Sequence, residues 1–275
     1  MPFLTLPNGM HIRHISRMGE TQFIYREIFE ERCYLQHGIV LPEEPVVLDV
    51  GANIGLFTMY VARHHPGARI FAFEPTPPIA AVLRDNVKSH PGQAEIRVFE
   101  HGLSDRVADA HVTYFPNLPG SSTTRPDEKE SVKAFMKGEL MGNLRAHSPA
   151  AFWLTLPLFP FRRSLVPWMV ERLYRPVRHL ARFLPLSHVL TEHNVAHVDL
   201  LKIDVEGAEL DVLRGVGAAH WPRIRQVAME LHDVDGRLQA ARALLESEGF
   251  RVQHMTDPLN ERVQTYNVYA TRQAG

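Results

Sequence analysis

The stretch "VVLDVGANIGLFT", residues 46–58, constrains the fold more than any other. Three apolar residues lead into Asp49, the chain then passes Gly51, Asn53 and Gly55, and "LFTMYVARHH" follows with apolar side chains at helical spacing. Such a run reads as a buried strand, a tight glycine turn and a helix. The unit recurs as "ARIFAFEP", "PPIAAVLRDNVKSH" and "EIRVFEHGLSD", and resumes with "HVDLLKIDVEGAE", "LDVLRGV", "IRQVAMELH" and "RLQAARALLESEG". Alternation of this kind predicts an α/β fold with a mostly parallel sheet covered by helices on both faces. The last segments, "FRVQHM" and "YNVYATR", lie close enough to pair as antiparallel neighbours.

The 275 residues, 45% of them hydrophobic, suit one core with additions better than two full domains. We expect a single domain over residues 1–275, with its core in 46–110 and 192–275. Residues 1–45 form an N-terminal helical cap, in which Phe23, Ile24, Ile28 and Leu35 share one apolar side, and residues 111–191 form a helical lid insertion. A formal charge of -1 provides no global field for nucleic acid or membrane. The single cysteine, Cys33, rules out an internal disulfide framework and fits a reducing compartment. With no signal-peptide pattern in "MPFLTLPNGMHIRH" and no apolar stretch near the ~20 residues of a membrane span, the expected location is the cytoplasm.

In open α/β sheets, ligands bind beyond the carboxyl ends of the strands. That rule brings Asp49, Glu74, Ser104, Asp204 and His232 to one rim. A dinucleotide fingerprint would place glycine at 51, 53 and 56, but the chain has Gly51, Asn53 and Leu56. The pattern D-x-G-x-N-x-G instead lets the backbone from Gly51 through Ala52 to Gly55 approach a ligand, with Asp49 available to a cationic amino group. S-adenosyl-L-methionine is the nucleotide that such a loop suits. Glu74 is placed to accept both ribose hydroxyls, and Ser104 to read the adenine edge.

"VLDVGANIGLFT", "FAFEP", "HGLSD" and above all "DLLKIDVEGAELDVLRG" resemble the FkbM-type S-adenosylmethionine-dependent methyltransferases over residues 46–110 and 192–270. The resemblance implies a Rossmann-like class I methyltransferase fold. "LPNGMHIRHISRMGETQFIYREIFEERCYLQHGI" and "FPNLPGSSTT" are further similar to the branch found as O-methyltransferase domains within polyketide synthases and related assembly lines. On that basis the expected acceptor is a hydroxyl on a polyketide-like, carrier-bound acyl chain. A sugar or lipid hydroxyl, or a non-catalytic binding module of the same fold, are the alternatives.

An alcohol oxygen is a poor nucleophile while protonated, so a positioned base contributes about 10²–10⁴-fold. His232, at the end of "QVAMELH", is the expected base. Glu206 is expected to hold its other ring nitrogen, and Asp204 to touch the donor. Asp204 with Glu206, Glu230 and Asp233 also offers oxygen ligands, but no spacing demands a metal and none is expected. Glu209 reads as an exposed residue of a first helical turn.

Between residues 150 and 190, six arginines (162, 163, 172, 175, 178 and 182) stand against one acid, Glu171, among Phe152, Trp153, Phe159, Phe161, Trp168, Tyr174 and Phe183. The expected partner is an acidic acyl carrier protein presenting its substrate. Leu165, Val166, Trp168, Met169 and Leu173 fit one helix face, limited by Pro167 and Pro176. Neither nucleic acid nor a membrane is the expected partner.

Overall fold

Parallel pairing organises the middle of the chain, where successive core strands are joined by segments that cross back over the sheet. The computed structural model describes residues 3–15, 19–90, 92–142, 162–256 and 261–272. In chain order the strands are β1 (Phe3–Thr5), β2 (His11–Arg13), β3 (Val46–Val50), β4 (Arg69–Phe73), β5 (Glu95–Phe99), β6 (Gly102–Leu103), β7 (Ala108–Tyr114), β8 (Val177–Leu184), β9 (Leu200–Ile203), β10 (Gln226–His232), β11 (Phe250–Met255) and β12 (Thr265–Arg272). The helices are α1 (Glu20–Tyr25), α2 (Leu56–His64), α3 (Pro77–Lys88), α4 (Lys129–Gly142), α5 (Arg162–Leu173), α6 (Leu186–Glu192), α7 (Glu209–Arg214) and α8 (Arg237–Ser247). A central sheet runs β11-β12-β10-β9-β3-β4-β5, parallel from β10 to β5, with β12 antiparallel to both its neighbours.

Strand alternation divides the core into two layers. Val46, Leu48, Val50, Phe71, Phe73, Leu201, Ile203, Val227, Met229 and Leu231 pack with α6, α7 and α8. Val47, Ile70, Leu200 and Ala228 face the opposite way, against α2 and the N-terminal residues Leu6, Ile12, Tyr25, Ile28 and Tyr34. By the same alternation Asp49, Lys202 and Glu230 fall on this second face. Three adjacent strands thus place a charge where the pattern asks for an apolar residue, at a desolvation cost that structure alone does not require.

The N-terminal helix differs from its expected face. After α1 the chain continues as a π-helical turn, Arg26–Glu30, whose wider turn rotates the residues beyond it. Tyr25 and Ile28 are buried, Phe23 is 53% exposed, and Leu35 lies past the helix end.

The expected third strand also divides. β5 ends at Phe99, and Gly102–Leu103 has already turned into a separate sheet of order β6-β8-β7. The insertion therefore contains strands as well as helices. Val170 and Tyr174 of and just after α5 pack with Val132, Met136 and Leu140 of α4. Trp168 and Met169 face outward, so the expected apolar face of α5 is split. Arg178 and Arg182 belong to β8, not to a helix. Phe152, Trp153, Phe159 and Phe161 lie outside the described residues.

Candidate active site

The turn after β3 sets the site. Gly51 (φ 77°), Asn53 (φ 51°) and Gly55 (φ 94°) all adopt left-handed backbone. At Gly51 a Cβ would stand 1.6 Å from the Asp204 carbonyl oxygen, so only glycine lets this turn press against the end of β9. The Ala52 amide donates to the Phe73 carbonyl (2.9 Å) and the Asn53 amide to Glu74 Oε2 (3.1 Å), tying the turn to β4. The second Glu74 oxygen accepts from the Thr76 amide at 2.8 Å. Burial raises the Glu74 pKa; these amide bonds oppose it and leave it at about 6.

Two cavities meet at this turn. The first is bounded by Gly51, Asn53 and Glu74, by the apolar side chains of Ile79, Leu103, Val112 and Phe183, and by residues 122–124 of a strap that descends from β7. The second lies under the N-terminal cap, against Phe23, Ile24, Ile28, Tyr34, Phe57 and Glu230. Gly51, Asn53, Gly120, Asp204 and Glu206 line both. The strap is held at each side: the Gly120 amide donates to Glu20 (2.8 Å), the Thr123 hydroxyl to the Glu206 carbonyl (2.5 Å), and the Lys129 ammonium to the Glu206 carboxylate.

This geometry fits an adenosine-bearing sulfonium. An apolar slot can hold a purine, and each Glu74 oxygen retains a lone pair beyond its amide bond for a ribose hydroxyl. Asp204 stands where the two cavities join.

Asp49 does not reach that position. It is fully buried, accepts from the Thr58 hydroxyl (2.6 Å) and pairs with Lys202 Nζ at 3.0 Å, so the cation it holds belongs to this chain. Ser104 likewise stands off the wall: its hydroxyl donates to Asp105 and its amide to Leu184, because β6 has left the central sheet. Gly102 and Leu103 line the first cavity in its place. Asp204 accepts from the Tyr34 hydroxyl at 2.9 Å, with Lys202 Nζ at 3.6 Å. Burial raises its pKa against the pull of Lys202.

His232 and Glu206 are brought together as expected, at 3.2 Å from Nε2 to Oε2, but Nδ1 of the same ring lies 3.3 Å from Glu209 Oε1. Glu209 is fully buried, held by the Gly207 amide at 2.6 Å, and is not the exposed first-turn residue expected. Burial would lower the His232 pKa; Glu206 and Glu209 outweigh it and hold the ring well above its usual value. Glu206 is pushed up by burial and down, further, by Lys129 and His232, to about 2. With each ring nitrogen facing a carboxylate and its charged form favoured, His232 is poorly placed as the first proton acceptor, and it lines neither cavity. The sequence reading missed Lys202, Tyr34 and Lys129. For Lys202 the signal was present, a charge inside the apolar run "DLLKIDV".

Among the described residues, no group of three or more His, Cys, Asp or Glu is arranged to hold a metal, and no helix is long and apolar enough to cross a membrane.

Residues 169–252 match the model of the methyltransferase FkbM domain. The chain is 39% identical over 272 residues, 99% of its length and 97% of the relative's, to the 31-O-demethyl-FK506 methyltransferase FkbM of Streptomyces tacrolimicus. It is 36% identical over 241 residues to the methyltransferase sdnD of Sordaria araneosa, covering 85% of this chain and 83% of that one. The AMB antimetabolite synthetase AmbE of Pseudomonas aeruginosa matches at 36% identity over 97% of this chain, which spans only 12% of that synthetase. Among solved structures, a methyltransferase FkbM from Methylobacillus flagellatus superimposes with a TM-score of 0.49 at 14% identity, covering 90% of this chain and 47% of that one. Carrying a Rossmann-like α/β core and 39% identity over nearly its full length to an FkbM methyltransferase, the chain belongs to the FkbM methyltransferase family and is a methyltransferase.

Proposed function

We propose that the protein transfers a methyl group from S-adenosyl-L-methionine to a hydroxyl of a polyketide-like acyl chain borne on a carrier. Residues 1–275 act as one unit, in which the insertion closes the donor side and the cap closes the acceptor side. The observation that carries the hydroxyl reading is the wall of the cap cavity, where Glu27, Asp204, Glu206 and Glu230 outnumber the one cation that lines it, Lys202, which is itself paired with Asp49. An acid-lined cavity repels a carboxylate acceptor and tolerates a neutral alcohol.

When bound, the donor supplies an activated methyl group on a cationic sulfur. The chain's own residues do the rest. Glu74 accepts the ribose hydroxyls, and the backbone of Gly51, Ala52 and Asn53, with Gly55 shaping the turn, lies along the donor. Asp204, oriented by Tyr34, faces the donor's cationic part. His232 and Glu206 act as a fixed ion pair that holds the strap through Lys129 and keeps the junction closed to water, and the near alignment this allows is where most of the rate arises.

The polyketide setting is supported by the FK506-named relative, and the carrier by the match to a segment of a synthetase. Calorimetry with S-adenosyl-L-methionine tests the donor. Mass spectrometry of hydroxyacyl groups, free and on an acyl carrier protein, tests the acceptor: gain of one methyl on the carrier-bound form supports the reading, and methylation of free carboxylates but not hydroxyls overturns it.

A further inference from the structure

We propose that Glu230 is the proton acceptor for the acceptor hydroxyl, and that the arriving donor cation makes it ready by ionising it. The inference rests on the reading of the junction as a donor site for S-adenosyl-L-methionine.

Among the three carboxylates at the end of β9 and β10 that line the cap cavity, two are already engaged. Asp204 is held by Tyr34, and Glu206 by Lys129 and His232. Glu230 accepts no hydrogen bond from the described residues, and its nearest cation, His232 Nε2, stands 3.9 Å away. Its side chain is one-third exposed, and that exposure opens into the cap cavity. Strand alternation fixes its direction, since Glu230 follows Ala228 onto the face that carries Lys202 and Asp49.

The surroundings shift this carboxyl toward its protonated form. Burial and Asp204 raise its pKa to about 8, Glu206 and Glu27 push the same way, and His232 opposes them. Tyr34 and Cys33, also on this wall, are raised and stay neutral. Lys202 faces Asp49 first, and Lys129 faces Glu206. A sulfonium at the junction adds a positive charge beside this group and drives the proton off. The electrons then balance. The hydroxyl oxygen forms a bond to the methyl carbon, the carbon–sulfur pair returns to sulfur and cancels its charge, and the hydroxyl proton passes to the Glu230 carboxylate.

The test counts protons during cofactor binding and needs no acceptor. Calorimetric titration near pH 7.5 in Tris and in HEPES, which differ in ionisation enthalpy, should show S-adenosyl-L-methionine releasing more protons than S-adenosylhomocysteine, whose sulfur is neutral. Glu230→Gln should abolish the difference while binding S-adenosylhomocysteine within about threefold of wild type, and Glu230→Asp should retain it. Equal release for the two ligands in the wild type, or a difference that persists in Glu230→Gln, overturns the proposal, because the charge of the donor then does not ionise Glu230. Failure of the wild type to bind either ligand would instead overturn the donor reading.

Discussion

Lys202 Nζ lies 3.0 Å from Asp49 and donates to the Gly51 carbonyl at 2.8 Å, so one buried ammonium joins β9, β3 and the turn that lines both cavities. Both side chains are almost wholly buried. Removing one member of such a pair leaves an uncompensated charge and costs about 3–5 kcal/mol. Lys202→Met should therefore lose that much in urea unfolding, and Asp49→Asn added to it should recover part of the loss. A Lys202→Met variant as stable as wild type would mean that the pair does not organise the turn.

His232 should remain a cation at neutral pH. Its charged form is favoured in the fold, so its contribution to stability is complete below the unfolded value of about 6.5 and is lost as pH rises through the raised folded value. Glu206 works in the opposite sense: its contribution is complete above about 4.3 and is lost as pH falls through about 2. The pair is strongest between roughly pH 4.3 and 6.5. Nitrogen-detected histidine NMR at pH 7.5 should show both ring nitrogens of His232 protonated; a neutral tautomer there would restore it as a candidate base.

Donor affinity should depend on the ionisation of Glu74. Its pKa of about 6 is raised, and ribose hydroxyls donate better to the ionised form, so binding should weaken as pH falls through about 6. Glu74→Ala removes charge-assisted hydrogen bonds worth about 1.5–3 kcal/mol, an affinity loss of roughly 10- to 150-fold. Calorimetry at pH 5 and 7.5 measures both effects, and Glu74→Ala should flatten the pH dependence.

The parts legible in sequence are those fixed by local pattern. Strand alternation and the glycine turn identify β3, β4, β9 and β10 and place Glu74 and Asp204 at one rim. What the pattern hides is partnership. Asp49 points toward the site in sequence but is sealed by Lys202, a partner 153 positions along. Glu209 reads as solvent-facing because its short helix begins there, yet that helix turns inward over His232. Ser104 fails for a topological reason: "EIRVFEHGLSD" looks like one strand, and the turn after Phe99 that sends β6 to another sheet carries no glycine or proline signal until Gly102.

The exposed basic side of the insertion should steer an acidic carrier. Arg172 lies over the Trp168 ring at 5.6 Å, and Arg175, Arg178 and Arg182 are exposed on or beside β8, with no ion pair to any of the four among the described residues. Phe183, the neighbour of Arg182, lines the first cavity, so the basic face and the site share a strand. Reversing Arg172, Arg175 and Arg178 to glutamate should slow methylation of a carrier-bound acyl chain about tenfold or more at low salt. The defect should shrink as ionic strength approaches 0.5 M, where the screening length falls to about 4 Å. Methylation of the same acyl chain on a free pantetheine should stay within about twofold. Equal loss on both substrates would assign the arginines to the shape of the cavity, and no loss on either would leave this face without a carrier.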